Sequence, residues 1–166
     1  LVSKTDAQKI IGMLVREYPN ATTELKYRNP FELLVATVLS AQSTDIKVNL
    51  VTPNLFKRYP NVKTLAAAKQ SEIEKEIRSI GLSKQKARSL TNLAQQLVTE
   101  HQGNIPTNIT QLTKLSGVGR KTANVVLAHA FGLPGFPVDR HVMRVSTRLG
   151  IAQGRNALEI ETQLCA

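Results

Sequence analysis

A chain of 166 residues, 42% hydrophobic and 20% charged, suits one domain or two small lobes sharing a core, and is too apolar for a disordered chain. Its single cysteine, Cys165, excludes an intrachain disulfide and any all-cysteine metal site within one copy, and no apolar run approaches the roughly 20 residues of a transmembrane helix. The net charge of +10 is spread as +3 over residues 1–60, +5 over 61–120 and +2 over 121–166, which favours a polyanionic partner and excludes a detachable basic tail. No apolar signal peptide opens the sequence, so a reducing cytoplasmic setting is expected, with no membrane and no obligate protein partner.

The pattern predicts an all-α fold. Ser3 or Thr5 caps a first helix to about Tyr18, with Ile10, Ile11 and Leu14 on one side, and Pro19-Asn20 stops it. Asn29 and Pro30 have cap and first-turn character. They introduce Phe31–Ala41, apolar nearly all round, which reads as a central buried helix, with a strand as the minority alternative because of its β-branched residues. A helix from about Asp45 to Arg58 is expected to bend or break at Pro53. Ser71-Glu72-Ile73-Glu74 has the form of a capping box and opens a helix that presents Ile73, Ile77 and Ile80 and stops at Gly81. A longer helix spans about Ser83 to His101, with Ala87, Leu90, Leu93, Ala94 and Leu97 inward. Another starts at Pro106 to Asn108, with Ile109, Leu112 and Leu115 inward. Gly117-Val118-Gly119 turns the chain into a helix over 120–131, and residues 132–137 form a Gly/Pro-rich linker. Asp139 opens a helix with Val142 and Val145 on its core face, and a last helix begins near Asn156. The segments 80–87 and 116–123 echo each other, each an amphipathic helix, a glycine-containing turn and a basic helix start.

Leu115-Ser116-Gly117-Val118-Gly119 is the strongest local motif. Two glycines one residue apart let backbone N–H groups reach an anion, and a helix start followed by Arg120 and Lys121 adds positive charge. A plain helix–turn–helix corner is the alternative. In the first helical turn beside Arg120, the Lys121 ammonium is disfavoured, which suits an amine nucleophile that forms a Schiff base; a surface or phosphate-binding lysine is the other reading. Asp139 is either an N-cap or a carboxylate that activates a nucleophile or shuttles a proton. His141 is either a base or a packed or surface-polar histidine, and no metal-ligating set is visible.

Residues 30–150 resemble the endonuclease III family of base-excision DNA glycosylases, within the helix-hairpin-helix superfamily. The likeness is carried by Leu115–Val126, by Val138-Asp139-Arg140-His141-Val142, by Leu39–Asp45 and by Ile80-Gly81-Leu82. It implies two helical lobes with a DNA groove between them: a central lobe over 20–133, with the helix-hairpin-helix at about 108–130, and an incomplete second lobe from 1–19 and 134–166. It further implies a bifunctional DNA glycosylase/AP lyase, hydrolase and lyase in one DNA repair enzyme, that removes oxidised pyrimidines from duplex DNA. The partner implied is double-stranded DNA with a damaged base or abasic site. Lys121 matches the nucleophile and Asp139 the assisting carboxylate. Gln42 matches the residue that fills the gap left by the flipped base, and Leu82 the wedge. Gly117, Val118 and Gly119 match the phosphate-gripping hairpin, with Arg120, Arg140 and His141 as further DNA contacts and Ser40 and Asp45 at pocket positions.

Two departures stand out. Arg140 replaces the family's usual Thr, which would stabilise the Asp139 anion or add a phosphate contact. The four-cysteine [4Fe–4S] site of most members would lie beyond residue 166. No cofactor is therefore expected in this chain, a cluster is expected only in a full-length homologue, and residues 1–18 and 138–166 are expected to show an apolar face for want of partners. A DNA-binding fragment without activity is the alternative, separated by binding without covalent trapping. Adenine-specific relatives lack the lysine, so Lys121 argues against them.

Overall fold

In the computed structural model, which describes residues 1–166, every regular element is helical. The helices in chain order are α1 (Lys4–Glu17), α2 (Pro30–Ser40), α3 (Asp45–Arg58), α4 (Val62–Ala66), α5 (Gln70–Glu76), α6 (Ser83–His101), α7 (Ile109–Leu112), α8 (Arg120–Phe131), α9 (Arg140–Arg148) and α10 (Ala157–Leu164). The chain divides into two compact units, Glu24–Gly135 and Leu1–Thr23 with Phe136–Ala166.

The unit of α2 to α8 is built around α2. Nine consecutive residues, Phe31 to Leu39, are buried. The Asn29 side chain accepts from the Glu32 N–H at 2.9 Å and Pro30 occupies the first turn, so the segment starts as a helix. Val35, Thr37 and Val38 weaken helix propensity by only a few tenths of a kcal/mol each. Burying each of Leu33, Leu34 and Leu39 fully is worth about 1.5–3 kcal/mol, so packing decides. Helices α3, α6 and α8 pack on α2, α4 and α5 pack on α6, and α7 packs on α8. Pro53 lies inside α3 without ending it.

The capping box is not where the Ser-x-x-Glu pattern placed it. Helix α5 starts at Gln70 with Lys69 as a cap that makes no side-chain bond; its register is set by Ile73 and Ile77, both fully buried, and Ser71 lies within the first turn. The reciprocal box belongs to α4, between Asn61 and Thr64.

The smaller unit holds α1, α9 and α10. Val138, Ala152 and Ile160 form its core, joined by Val142, Met143, Ala157 and Leu164. Helix α1 is capped by Ser3 as expected but buries no residue, and Ile11, Leu14, Val15 and Tyr18 are exposed. On α9 the inward positions are Val142, Met143 and Ser146, whereas Val145 is 44% exposed. Ser146 is covered because the chain turns back over it, its carbonyl accepting from the Ile151 N–H at 3.0 Å.

Candidate nucleic-acid interface

The glycine hairpin is anchored by apolar residues and opened by glycine. Leu112, Leu115 and Val118 are buried, and the Val118 N–H donates to the Leu115 carbonyl at 3.1 Å to close the turn. The Gln96 amide clasps the approach to it, accepting from the Ser116 N–H at 2.8 Å and donating to the Lys114 carbonyl at 3.2 Å. Gly117 has φ +76°, and a Cβ there would stand 3.0 Å from Ser89 Cβ and 3.3 Å from Val38 Cγ1. Gly117→Ala therefore combines backbone strain with crowding against α6 and α2. It is expected to lower stability by about 2 kcal/mol, read from the urea midpoint at constant m-value. Gly119 differs: its φ is −88°, and a Cβ there would meet nothing within 4 Å. The hairpin is thus packed on the Gly117 side and open on the Gly119 side. Arg120 and Lys121 are exposed in the first turn of α8.

Gln42 and Leu82 share a property that the sequence does not announce. Both are exposed, and both hold left-handed backbone, at φ 54° and 60°. Ala41 (φ −55°, ψ 119°) and Gln42 form the centre of a turn closed by the Ser43 N–H donating to the Ser40 carbonyl at 3.0 Å. Gln42 occupies the position that in such a type II turn favours glycine. Leu82 is the cap residue of α6 and is 53% exposed. Each such non-glycine residue costs of order 1 kcal/mol, which must be supported by its surroundings. The sequence echo of 80–87 and 116–123 does not extend to the backbone, because the positive φ falls on Leu82 in one turn and on Gly117 in the other. Leu82 borders an open cleft with Gln70, Ser83, Lys84, Gln85 and Arg88.

Ser40 and Asp45 flank the Gln42 turn. The Ser40 hydroxyl donates to the Thr37 carbonyl at 2.9 Å, and Asp45 is half-buried in the first turn of α3. One residue of this region escapes motif reasoning. Lys86 is buried, and its ammonium donates to the Leu39 carbonyl at 2.8 Å and to Ser43 Oγ at 2.7 Å. Burial pushes that ammonium below the ordinary lysine value. The signal was available: Lys86, Leu90, Leu93 and Leu97 share one helical stripe.

In the smaller unit, Asp139 is the N-cap of α9, with Oδ1 accepting from the His141 and Val142 N–H groups, both at 2.9 Å. Arg140 and His141 are exposed, and His141 Nδ1 lies 3.1 Å from Arg144 Nη2. Arg140, Arg144 and Arg148, four residues apart, make one exposed basic stripe.

No group of three or more His, Cys, Asp or Glu side chains is placed to hold a metal ion. The exposed Cys165 is the one cysteine, so these residues do not fit a four-cysteine cluster. No helix is long and apolar enough to cross a membrane. A separate cavity of about 580 Å³ lies at the other end of α2, lined by Asn29, Phe31, Asn61, Lys63 and Phe131 among others; it holds none of the candidate residues.

Comparison with known proteins finds the family and the fold of DNA repair proteins. The HhH-GPD superfamily base excision DNA repair protein family matches residues 35–165. Endonuclease III of Synechocystis sp. is 48% identical over 162 residues, covering 97% of this chain and 74% of that protein. Among solved structures, a trapped endonuclease III–DNA covalent intermediate superposes with a TM-score of 0.93 at 45% identity, covering 99% of this chain and 78% of the other. A non-covalent endonuclease III–DNA complex gives 0.92 at 45% identity, covering 99% and 77%.

Proposed function

Since the chain belongs to the endonuclease III family of the HhH-GPD superfamily of base excision DNA repair proteins, we propose that it is a DNA glycosylase and abasic-site lyase acting on oxidised pyrimidines in duplex DNA. One observation carries the proposal. The open side of a glycine hairpin leads directly into the exposed Lys121, and two exposed side chains in left-handed backbone, Gln42 and Leu82, lie in turns of the same compact unit.

The damaged nucleotide leaves the stack before its glycosidic bond is reached, at a cost of a few kcal/mol. Gln42 enters the vacated space and Leu82 wedges the neighbouring step, offsetting part of that cost. The hairpin and the start of α8 hold a backbone phosphate, with Arg120, Arg140 and His141 adding charge or hydrogen bonds, so register is set without reading sequence. The Val118 side chain anchors the hairpin from within. Ser40 and Asp45 border the space that receives the extruded base.

Lys121 Nζ, as the free amine, attacks C1′. The base leaves with the bonding pair and takes up a proton, and opening of the C1′–O4′ bond gives an imine between Nζ and C1′. Asp139 assists the attack and the later proton transfer. The imine acidifies the C2′ proton, and its removal expels the 3′ phosphate oxygen by β-elimination. Water then hydrolyses the imine and returns Lys121. A water nucleophile at C1′ would stop at base removal, so the amine accounts for both activities. The test is borohydride trapping of this chain on a duplex with one abasic site. A covalent protein–DNA band is expected; DNA binding by the folded chain without a band would leave a binding fragment only.

A further inference from the structure

The structure assigns Lys86 as the positioning residue that holds the Gln42 turn in its protruding conformation, from the first turn of the helix that Leu82 caps. The inference rests on the insertion roles proposed above and extends them to a residue without DNA contact.

Two side-chain hydrogen bonds carry it. Through Nζ, Lys86 reaches the Leu39 carbonyl at 2.8 Å and Ser43 Oγ at 2.7 Å, three residues before Gln42 and one after it. Through its backbone N–H it donates to the Leu82 carbonyl at 2.9 Å. The side chain therefore braces the turn that presents Gln42, while the N–H bond, which any residue but proline makes at this position, closes the first turn of the helix that Leu82 caps. The braced turn carries φ 54° at Gln42, and Leu82 at the start of the same α6 carries 60°, values that their residue types avoid. Strain of this kind persists only where surrounding bonds over-determine the backbone.

The chemistry of Lys86 fits this task better than a role in stability. It is 5% exposed, and its two side-chain acceptors are a carbonyl and a hydroxyl. Burying an ammonium without a counter-ion is unfavourable, and an apolar residue would fill the same stripe of α6 at lower cost. What an apolar residue lacks is a donor long enough to reach past the end of α2. There the Leu39 carbonyl is left without an intrahelical partner, and the end of the helix favours positive charge. Gly117 packs on Ser89, one turn further along α6, and on Val38, next to Leu39. The hairpin and both insertion turns thus meet on the same ends of the same two helices.

The experiment compares Lys86→Met, Gln42→Ala, Leu82→Ala and their combinations in single-turnover base release from a duplex with one thymine glycol. It also follows the fluorescence of a 2-aminopurine opposite the lesion, which rises when stacking breaks. Lys86→Met, shown to be folded by its thermal transition, is expected to lower base release about 10- to 100-fold, the scale of an ångström-level misplacement, and to reduce the 2-aminopurine rise. In the Gln42→Ala/Leu82→Ala background the same substitution is expected to change the rate by less than about twofold, as for residues acting through one another. A fully additive loss, or silent Gln42→Ala and Leu82→Ala variants, overturns the assignment. If Lys86→Met does not fold, Ser43→Ala decides: a loss that vanishes beside Gln42→Ala supports the brace, and an unchanged or additive rate overturns it. Borohydride trapping of the unsubstituted chain is run in parallel. Absence of a trapped band would remove the proposed chemistry and this inference with it. Trapping retained alongside additive losses would remove the Lys86 inference alone.

Discussion

Lys121→Gln is expected to abolish borohydride trapping and strand cleavage at an abasic site while leaving DNA binding nearly intact. The imine requires an amine, and glutamine supplies none, so the loss is qualitative. Lys121 is exposed in the first turn of α8, and glutamine has similar helix propensity, so the helix itself is kept. Binding loses one positive charge out of a large excess. If that charge pairs with a phosphate, the slope of log K against log salt falls by about 0.9. Trapping by the glutamine variant at the original rate would move the nucleophile to another amine. Loss of trapping together with loss of binding would make Lys121 a phosphate contact. Running the salt titration beside the trapping gel separates these outcomes.

How much of this was legible in the sequence depends on the kind of signal. The central helix was, because Phe31–Leu39 is apolar nearly all round and Asn29-Pro30 marks where it starts. The caps at Ser3 and Asp139 were legible for the same local reason. The α5 start was misread because a Ser-x-x-Glu spacing is a local pattern, whereas burial of Ile73 and Ile77 fixes the helix from outside. Val145 misled because a valine on an amphipathic helix looks inward until the returning chain at 150–152 covers Ser146 instead. The helix expected to run to Gly81 ends at Glu76, and the left-handed residue before α6 is Leu82.

The site shows the same division. Residues whose type can carry chemistry, such as Lys121 and Asp139, are singled out by the family motif that they match. Residues that hold a shape are not. Gln96 spans both sides of the hairpin approach from a helix whose pattern marks only its apolar stripe. Lys86 falls on the apolar stripe of α6, but only the tertiary contact with the end of α2 shows what its ammonium binds. Strained backbone is harder still, since φ at Gln42 is set by the turn that closes around it. Rules of propensity fail at Gln42 and Leu82, which hold left-handed backbone without being glycine.

Asp139→Asn is expected to slow base release by roughly 10²- to 10⁴-fold, the range for removing a positioned acid or base. The choice of asparagine carries the argument. Asp139 already has a structural task, since Oδ1 accepts from the His141 and Val142 N–H groups at 2.9 Å. Asparagine caps helices about as well as aspartate, and its carbonyl oxygen can take both bonds. On the stability side the loss includes the attraction of the carboxylate to the helix start, about 0.3–1 kcal/mol and smaller at high salt. Asp139→Ala would confuse the two roles, because removing the cap alone costs about 1 kcal/mol and loosens the first turn that carries Arg140 and His141. Asp139→Ser supplies the control, a good cap with no carboxylate. Equal, large losses of base release in the asparagine and serine variants, with melting temperatures near that of the unsubstituted chain, would assign the effect to the carboxylate. Rates that follow the melting temperatures, or an unchanged rate in the asparagine variant, would leave Asp139 as a cap and nothing more.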